Sequence, residues 1–505
     1  MNKMKPVLMA ISILALASCS YLKEKQEMKK MNECKTYFES VVKELSDVSK
    51  YYGRNAYENG DIFAAKYIID QVREMGAMPA SKSSMAIEDC FMHTQEVQPP
   101  YKAHIYNIGL ERWSGMVENG YERTPEYDKY VPYLQNFSFD LNVMRSSMKL
   151  VVDGKKMEPT VDFIAKEFSP SCHGKFEIKY LEDKYYTEEL FVKHLNSGEY
   201  RNAFVVVDWA KYNTLPFESH MERYIPYLMP LDKVGGIILK DDAGSYAPNV
   251  LFPYFKARAH YVTPEPVLMV NGTFPDDAKE LEIDIVSQMY PRHDAHNVVA
   301  FLPGTGKNAK DDECITFIAH YDHLGCMGKE NVFPGANDNA SGVAMLLSFI
   351  KYWSETEHSM PLQFIFLDAE ESNLLGAFFY AANPVIPLDR IKCVINCDMV
   401  GDSGDNLHCQ CEQDGQWIID SLKKINDEYA DGFKAFDLEG VDDNSDHYAF
   451  EQAGVPSTYF ETKGEFYDHY HTPRDTYEHF TSCNYHRLFH MFTTFVNSFN
   501  CNSAR

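Results

Sequence analysis

Beyond residue 290 short apolar runs alternate with segments whose apolar residues recur every three or four positions. NVVAFLPG and CITFIAHYDH predict strands, and SGVAMLLSFIKYWSE predicts a helix. PLQFIFLDAEE predicts the next strand, LLGAFFYAA a helix, IKCVINCDMVG a strand, WIIDSLKKINDEYA a helix and VPSTYFET a last strand. Alternation of this kind predicts an α/β domain of three layers, with a mixed, mostly parallel central sheet. Upstream, YFESVVKELS and DIFAAKYIIDQVREMG carry helical spacing over residues 34–77, with Gly76 as a C-terminal stop. EVQPPYKAHIYN and NFSFDLNVM read as strands. Between them and residue 290, MKLVVDG, AFVVVDWA and GGIILKDD are short β-branched runs closed by turn residues.

These changes of rhythm divide the chain. Residues 31–146 and 289–505 form the main domain, and 147–288 form an inserted β-rich lobe. Residues 1–18 precede the globule as a signal segment, and 19–30 are polar enough to serve as a tether.

Polar residues cluster where the predicted strands of the last third end. His320, Asp322 and His323 follow ITFIA, Glu370 and Glu371 follow FIFLDA, and Asp398 follows CVINC. Asp338 sits in GANDNASG ahead of a helix, and His469 and His471 lie in YDHYHTPRDT. In parallel sheets ligands collect beyond the carboxyl ends of the strands. Imidazole and carboxylate are zinc ligands. Adjacent carboxylates repel, and burying them is costly. Paired cations remove that objection: one Glu binds metal while its neighbour, pointing the other way, faces the water.

The ordered series H-x-D, G-A-x-D-x-A-S-G, D-x-E-E-x-x-L-x-G, an Asp after a strand, S-D-H and H-T-x-x-D-T resembles the secreted two-zinc aminopeptidases, relatives of glutamate carboxypeptidase II and the glutaminyl cyclases. The match spans about residues 290–480, and the inserted lobe resembles a protease-associated domain. The resemblance implies two Zn2+ per chain, with Asp338 as the bridge. It implies His320 and Glu371 on one ion and Asp398 and His471 on the other. Glu370 becomes the general base toward a metal-bridged hydroxide, Asp322 orients His320, and Asp475 supports the second histidine. His323 and His469 are expected to be solvated or structural. The implied activity is hydrolysis of N-terminal residues from peptides. The alternatives are a single-zinc glutaminyl cyclase-like enzyme or a non-catalytic binding protein of the same fold. One departure stands out: where several of these aminopeptidases place a Tyr before S-D-H to stabilise the oxyanion, this chain has Asn444. Tyr448, Tyr467 and Tyr470 are the other candidate donors. The lobe is expected to border the cleft and restrict substrate size.

Composition narrows the partners. A formal charge of −26 argues against nucleic acid and anionic lipid surfaces. The start, MNKMKPVLMAISILALASCS, has two lysines and an apolar run too short to span a bilayer. Leu16-Ala17-Ser18-Cys19 resembles the lipobox of bacterial lipoproteins, which implies lipid attachment at Cys19. The expected location is therefore the bacterial cell envelope, periplasmic or at the cell surface, with the membrane met only through the anchor. The Cys393/Cys397 and Cys409/Cys411 pairs read as core thiols. Oligomeric state is not legible.

Overall fold

The computed structural model describes residues 4–85, 129–146, 148–195, 197–212, 234–242, 262–440 and 442–499; the side chains of 4–24, 57, 188, 189 and 192 lie outside that description, Cys19 among them. The expected strand in EVQPPYKAHIYN also lies outside the described residues.

A nine-stranded mixed sheet forms the main domain. At its centre Leu362–Leu367, Cys314–His320, Ile391–Cys397 and Ser457–Thr462 lie side by side and parallel. Both flanks are antiparallel. Ser287–Leu302 pairs with Leu362–Leu367 on one side, and Asn406–Gln410 pairs with Ser457–Thr462 on the other. The central strands are apolar without interruption because both of their faces are covered. Phe317, Ala319, Phe364, Phe366 and Ile395 face one apolar cluster, and Ile318, Ile365, Leu367 and Val394 face another. The first cluster receives helices Met4–Leu45, Gly60–Glu74, Gly342–Trp353, Gln416–Glu428 and Tyr485–Ser498. The second receives Leu375–Ala382 and His447–Gln452. This gives three layers. The segment expected to be helical over 34–77 breaks after Leu45, makes one short helical turn at Val48–Tyr51 and resumes as a long helix at Gly60, and the loop between these two carries Arg54. Among the described residues no helix is long and apolar enough to cross a membrane.

Chain order reverses around Cys314–His320. The following strand pairs on one side of it, and the next, Ile391–Cys397, pairs on the other. A reversal of this kind opens a crevice at the carboxyl end of the middle strand, and His320 is the last residue of that strand.

A second, eight-stranded sheet is built from strands between Lys149 and Ile285 and has its own apolar cluster. Leu324, Met327 and Phe333, from the loop just after His320, insert into that cluster and join the two bodies. Cys393, Cys397, Cys409 and Cys411 are buried free thiols.

Candidate metal centre

Five potential ligands from five segments converge at the crevice. His320 Nε2 lies 3.3 Å from Asp338 Oδ1 and 3.3 Å from Asp398 Oδ1. His471 Nε2 lies 3.1 Å from Asp338 Oδ2 and 3.2 Å from Glu371 Oε2. Asp338 thus stands between two groups, one oxygen toward each. The sorting differs from the expected one, since His320 neighbours Asp398 and His471 neighbours Glu371. The cause is topological. The His320 strand is flanked by the strand that ends before Asp398, while Ala369, at φ 60°, turns the Glu370–Glu371 pair. Glu370 Oε2 consequently comes within 4.0 Å of His320 Nε2, and Glu371 faces the other histidines.

Left-handed backbone at a residue other than glycine is uncommon and concentrates at functional sites. Here Ala369, Met399 (φ 57°) and His471 (φ 55°) all adopt it, each at or next to a candidate ligand.

Hydrogen bonds from the motif residues hold these loops. Asn339 Oδ1 accepts the amides of Gly342 and Met399, at 2.8 and 3.1 Å, and its Nδ2 donates to the Cys397 carbonyl. Asn337 Oδ1 accepts the Gly401 amide. The two asparagines of GANDNASG therefore tie the Asp338 loop to the Asp398 loop. Ser445, of the S-D-H motif, donates to Asp398 Oδ2 at 2.7 Å and orients that carboxylate. Asp322 accepts the amides of Glu370 and Glu371 at 3.0 and 3.2 Å, while its Oδ1 lies 3.6 Å from His320 Nδ1. Asp475 does not reach His471. It accepts the amides of Asn337 and Asp338, at 2.8 and 2.9 Å, and so fixes the Asp338 loop instead.

His323 is also not solvated. It is fully buried, with Nδ1 2.9 Å from Glu371 Oε1 and 3.6 Å from Asp338 Oδ2. His469 packs edge-on against His479, away from the ligands. Asn444, Tyr467 and Tyr470 line the cleft, whereas Tyr448 packs on Phe378 in the second cluster.

Arg54 was not foreseen. Its buried guanidinium donates to the carbonyls of Leu45, Tyr321, Pro334, Gly335 and Asp338. A Cβ at Gly335, at φ 61°, would fall 2.5 Å from both Arg54 Nη2 and His323 Cδ2, so only glycine fits there. The sole sequence signal for Arg54 is an isolated cation in YYGRN.

The charge balance calls for cations. Burial pushes the Glu370 carboxyl well above the usual range, with the charges of Glu371, Asp446 and Asp398 adding to it. Burial also raises Asp322 and Asp446. Burial would lower His320, but Asp398 and Glu370 raise it well above the ordinary imidazole value. Burial would raise Asp338, yet His323, His320 and His471 hold it well below the carboxylate range. Protons here are standing in for missing positive charge. His320 Nε2, Asp338 Oδ2 and Asp398 Oδ1 are buried without a hydrogen-bond partner, a costly state unless a ligand completes them. His320, Glu370 and Asp398, and likewise His323, Asp338 and Glu371, place ligand atoms within 4.8 Å of one another. Nitrogen and oxygen donors in this arrangement suit zinc.

The described lining of the cleft comes wholly from residues 320–471, and no described lobe residue borders it.

Residues 297–496 match the model of peptidase family M28. Over 184 residues the chain is 32% identical to Aminopeptidase YwaD of Bacillus subtilis, which covers 34% of this chain and 38% of that one. It is 25% identical over 193 residues to a probable leucine aminopeptidase 2 of Aspergillus oryzae, covering 36% of each. The matches thus span less than two-fifths of the length of these curated relatives. Among solved structures, the zinc aminopeptidase BSAP from Bacillus subtilis aligns with a TM-score of 0.56 at 17% identity, over 91% of this chain and 93% of that one. A Peptidase M28 precursor from Shewanella amazonensis aligns at 0.60 and 14% identity, over 96% and 98%. At such identities the likeness is one of fold.

Proposed function

We propose that this chain, whose residues 297–496 match the model of peptidase family M28, is a zinc-dependent aminopeptidase that holds two zinc ions and removes N-terminal residues from peptides. The observation that carries this is Asp338, whose two oxygens face two separate histidine–carboxylate groups. His320 and Asp398 would hold one ion and His471 and Glu371 the other, with Asp338 shared. Bound zinc supplies a Lewis acid for the scissile carbonyl and lowers the pKa of water toward about 7. Glu370, beside the His320 group, takes the proton of the attacking water and returns it to the departing amine nitrogen. Asp322 fixes the backbone of the Glu370–Glu371 pair, so base and ligand keep their relative aim. His323 orients Glu371 from behind. Asn444 and Tyr470 face the cleft as donors to the developing oxyanion.

The test is release of 4-nitroaniline from amino-acid 4-nitroanilides, with a chelator and with zinc restored, alongside metal analysis. Two zincs per chain and chelator-sensitive release are expected. One zinc with pyroglutamate formation from N-terminal glutamine would replace this proposal with a cyclase.

We also propose that the protein is carried to the bacterial cell envelope and anchored by lipid on Cys19, supported by the lysines, the apolar run and the Leu16–Cys19 motif at the start of the chain. Labelling with a radioactive fatty acid should mark the wild type and not Cys19→Ala. Equal labelling of both would overturn the anchor.

A further inference from the structure

The cleft, about 350 Å3, extends past Asp398 to a wall formed by Gln410, Glu439, Glu461 and Lys463, with Asp442 on the same lining. These residues belong to the antiparallel flank of the sheet, at the ends of Asn406–Gln410, Ala435–Glu439 and Ser457–Thr462 and in the segments that follow. None of them is a candidate ligand or base, so the chemistry of this wall bears on the substrate.

Acceptors outnumber donors along it. Lys463 Nζ lies 3.0 Å from Glu439 Oε1 and 3.2 Å from Glu461 Oε2, so two carboxyl groups already share its charge. The Tyr467 ring takes a further part of it, with its centroid 5.4 Å from Nζ. Gln410 donates through Nε2 to Glu439 Oε2 at 3.3 Å. Its carbonyl Oε1 is buried and has no hydrogen-bond partner, in a residue only 2% exposed. Burial raises the Glu461 carboxyl to about 8 and leaves it largely neutral at pH 7, and His408 Nδ1 lies 3.2 Å from Glu439 Oε1. Lys463 therefore stands against the carboxylates of Glu439 and Asp442 and an unpartnered buried carbonyl. A buried acceptor left unpaired is unfavourable, and it is satisfied by a donor that a substrate brings. An aliphatic side chain would leave the Gln410 carbonyl orphaned. An acidic one would enter a region of net negative charge. An ammonium or guanidinium supplies both the proton donors and the missing positive charge.

Resting on the aminopeptidase proposal, we infer that the cleft selects peptides whose N-terminal residue is Lys or Arg, with the side chain lying along Gln410 and Glu439. Gln410 and Glu439 are the specificity-determining residues, and Lys463 limits the preference.

The experiment uses the full zinc-loaded chain and the 4-nitroanilides of Arg, Lys, Leu and Glu. kcat/KM for Arg and Lys is expected to exceed that for Leu by about tenfold or more, with Glu lowest. Glu439→Gln should lower the Arg/Leu ratio about tenfold, and Lys463→Gln should raise it about fivefold. A wall with only a structural role would move all substrates together and shift neither ratio. Leu or Glu turned over as well as Arg, or ratios unmoved by both variants, would overturn the selectivity and leave the aminopeptidase proposal standing. No turnover of any substrate by zinc-loaded protein would overturn both.

Discussion

The two sheets of this molecule are built alike in their middles. Each has four neighbouring parallel strands, from Leu362–Leu367 to Ser457–Thr462 in one and from Cys172–Tyr180 to Val267–Asn271 in the other, all of them largely buried except the mixed, mostly exposed Cys172–Tyr180. They differ at the carboxyl ends. In the main sheet the chain leaves the strands into loops that bury Asp322, Asp338, Glu371 and Asp398 together, and the loop amides are tied down by Asn339, Asp322 and Asp475. In the lobe, Asp208 ends its strand by accepting the Lys211 amide at 3.0 Å, as an ordinary turn residue does. Among the described residues, both groups of converging ligand atoms lie in the main sheet. A parallel sheet offers a crevice, then, but loops that can bury several acids side by side make the site.

The comparison breaks most sharply at Glu370. Glu370→Gln keeps the shape and removes the base, so turnover should fall about 10³-fold while zinc content is unchanged. Metal analysis alongside the rate checks it. Loss of zinc in that variant would mean that Glu370 is a ligand and that Glu371 must be reconsidered as the base.

Next comes the support beneath the loops. Arg54→Lys replaces a fork that reaches five carbonyls by an ammonium with three donors, and so leaves buried acceptors unpaired. Zinc affinity should fall about 10- to 100-fold, as loss of outer support does in metal sites. Competition with a chromophoric chelator reads this directly, and unchanged affinity would reduce Arg54 to a mere staple between the N-terminal turn and the sheet.

Arg54 also marks where legibility in the sequence stopped. The central strands, and the candidate residues His320, Glu370, Glu371 and Asp398 at their ends, were legible because apolar runs ending in His, Asp or Glu leave a local signature. Arg54 lies 284 positions from Asp338, whose carbonyl it holds, and no spacing encodes that contact. Asp475 was visible, but its target was not, because an acid that accepts backbone amides looks the same in sequence as one that accepts an imidazole. The sorting of ligands between the two groups depended on strand order, which alternation alone does not specify. The flank strands Asn406–Gln410 and Ala435–Glu439 escaped notice because they are short, partly exposed and mix charged with apolar residues. Those same strands carry Gln410 and Glu439 of the cleft wall.

A gentler effect follows from charge. In the metal-free protein His471 is raised to about 9: burial lowers it, but Glu371 and Asp338 more than offset that. Zinc held by His471 as proposed would therefore displace a proton from it at neutral pH. Zinc affinity should rise about tenfold per pH unit between roughly 6.5 and 9 and level off above. Because the folded value lies above the ordinary one, the same proton stabilises the metal-free fold fully below about 6.5, and this contribution is lost as pH rises through about 9. Calorimetry in buffers of different ionisation enthalpy counts the protons released. No release at pH 7 would show that the cage is already open to metal.

The smallest effect is expected in the lobe, and it is the control that gives the comparison its meaning. Asp208 occupies the place in its sheet that His320 occupies in the other, the end of a parallel strand flanked by two more. Among the described residues its carboxylate meets Lys211, through the amide and a 3.4 Å ion pair in which both side chains are about half exposed. Exposed pairs of this kind contribute about 0–1 kcal/mol. Asp208→Asn should therefore leave kcat/KM within about twofold and stability within about 1 kcal/mol, since the amide oxygen still accepts the Lys211 N–H. The loop carrying Leu324, Met327 and Phe333 ties the lobe to the His320 strand, so the lobe has a physical route to the metal centre through packing. A tenfold loss of turnover in Asp208→Asn would show that charge in the lobe acts along that route, and the two sheets would have to be treated as one site.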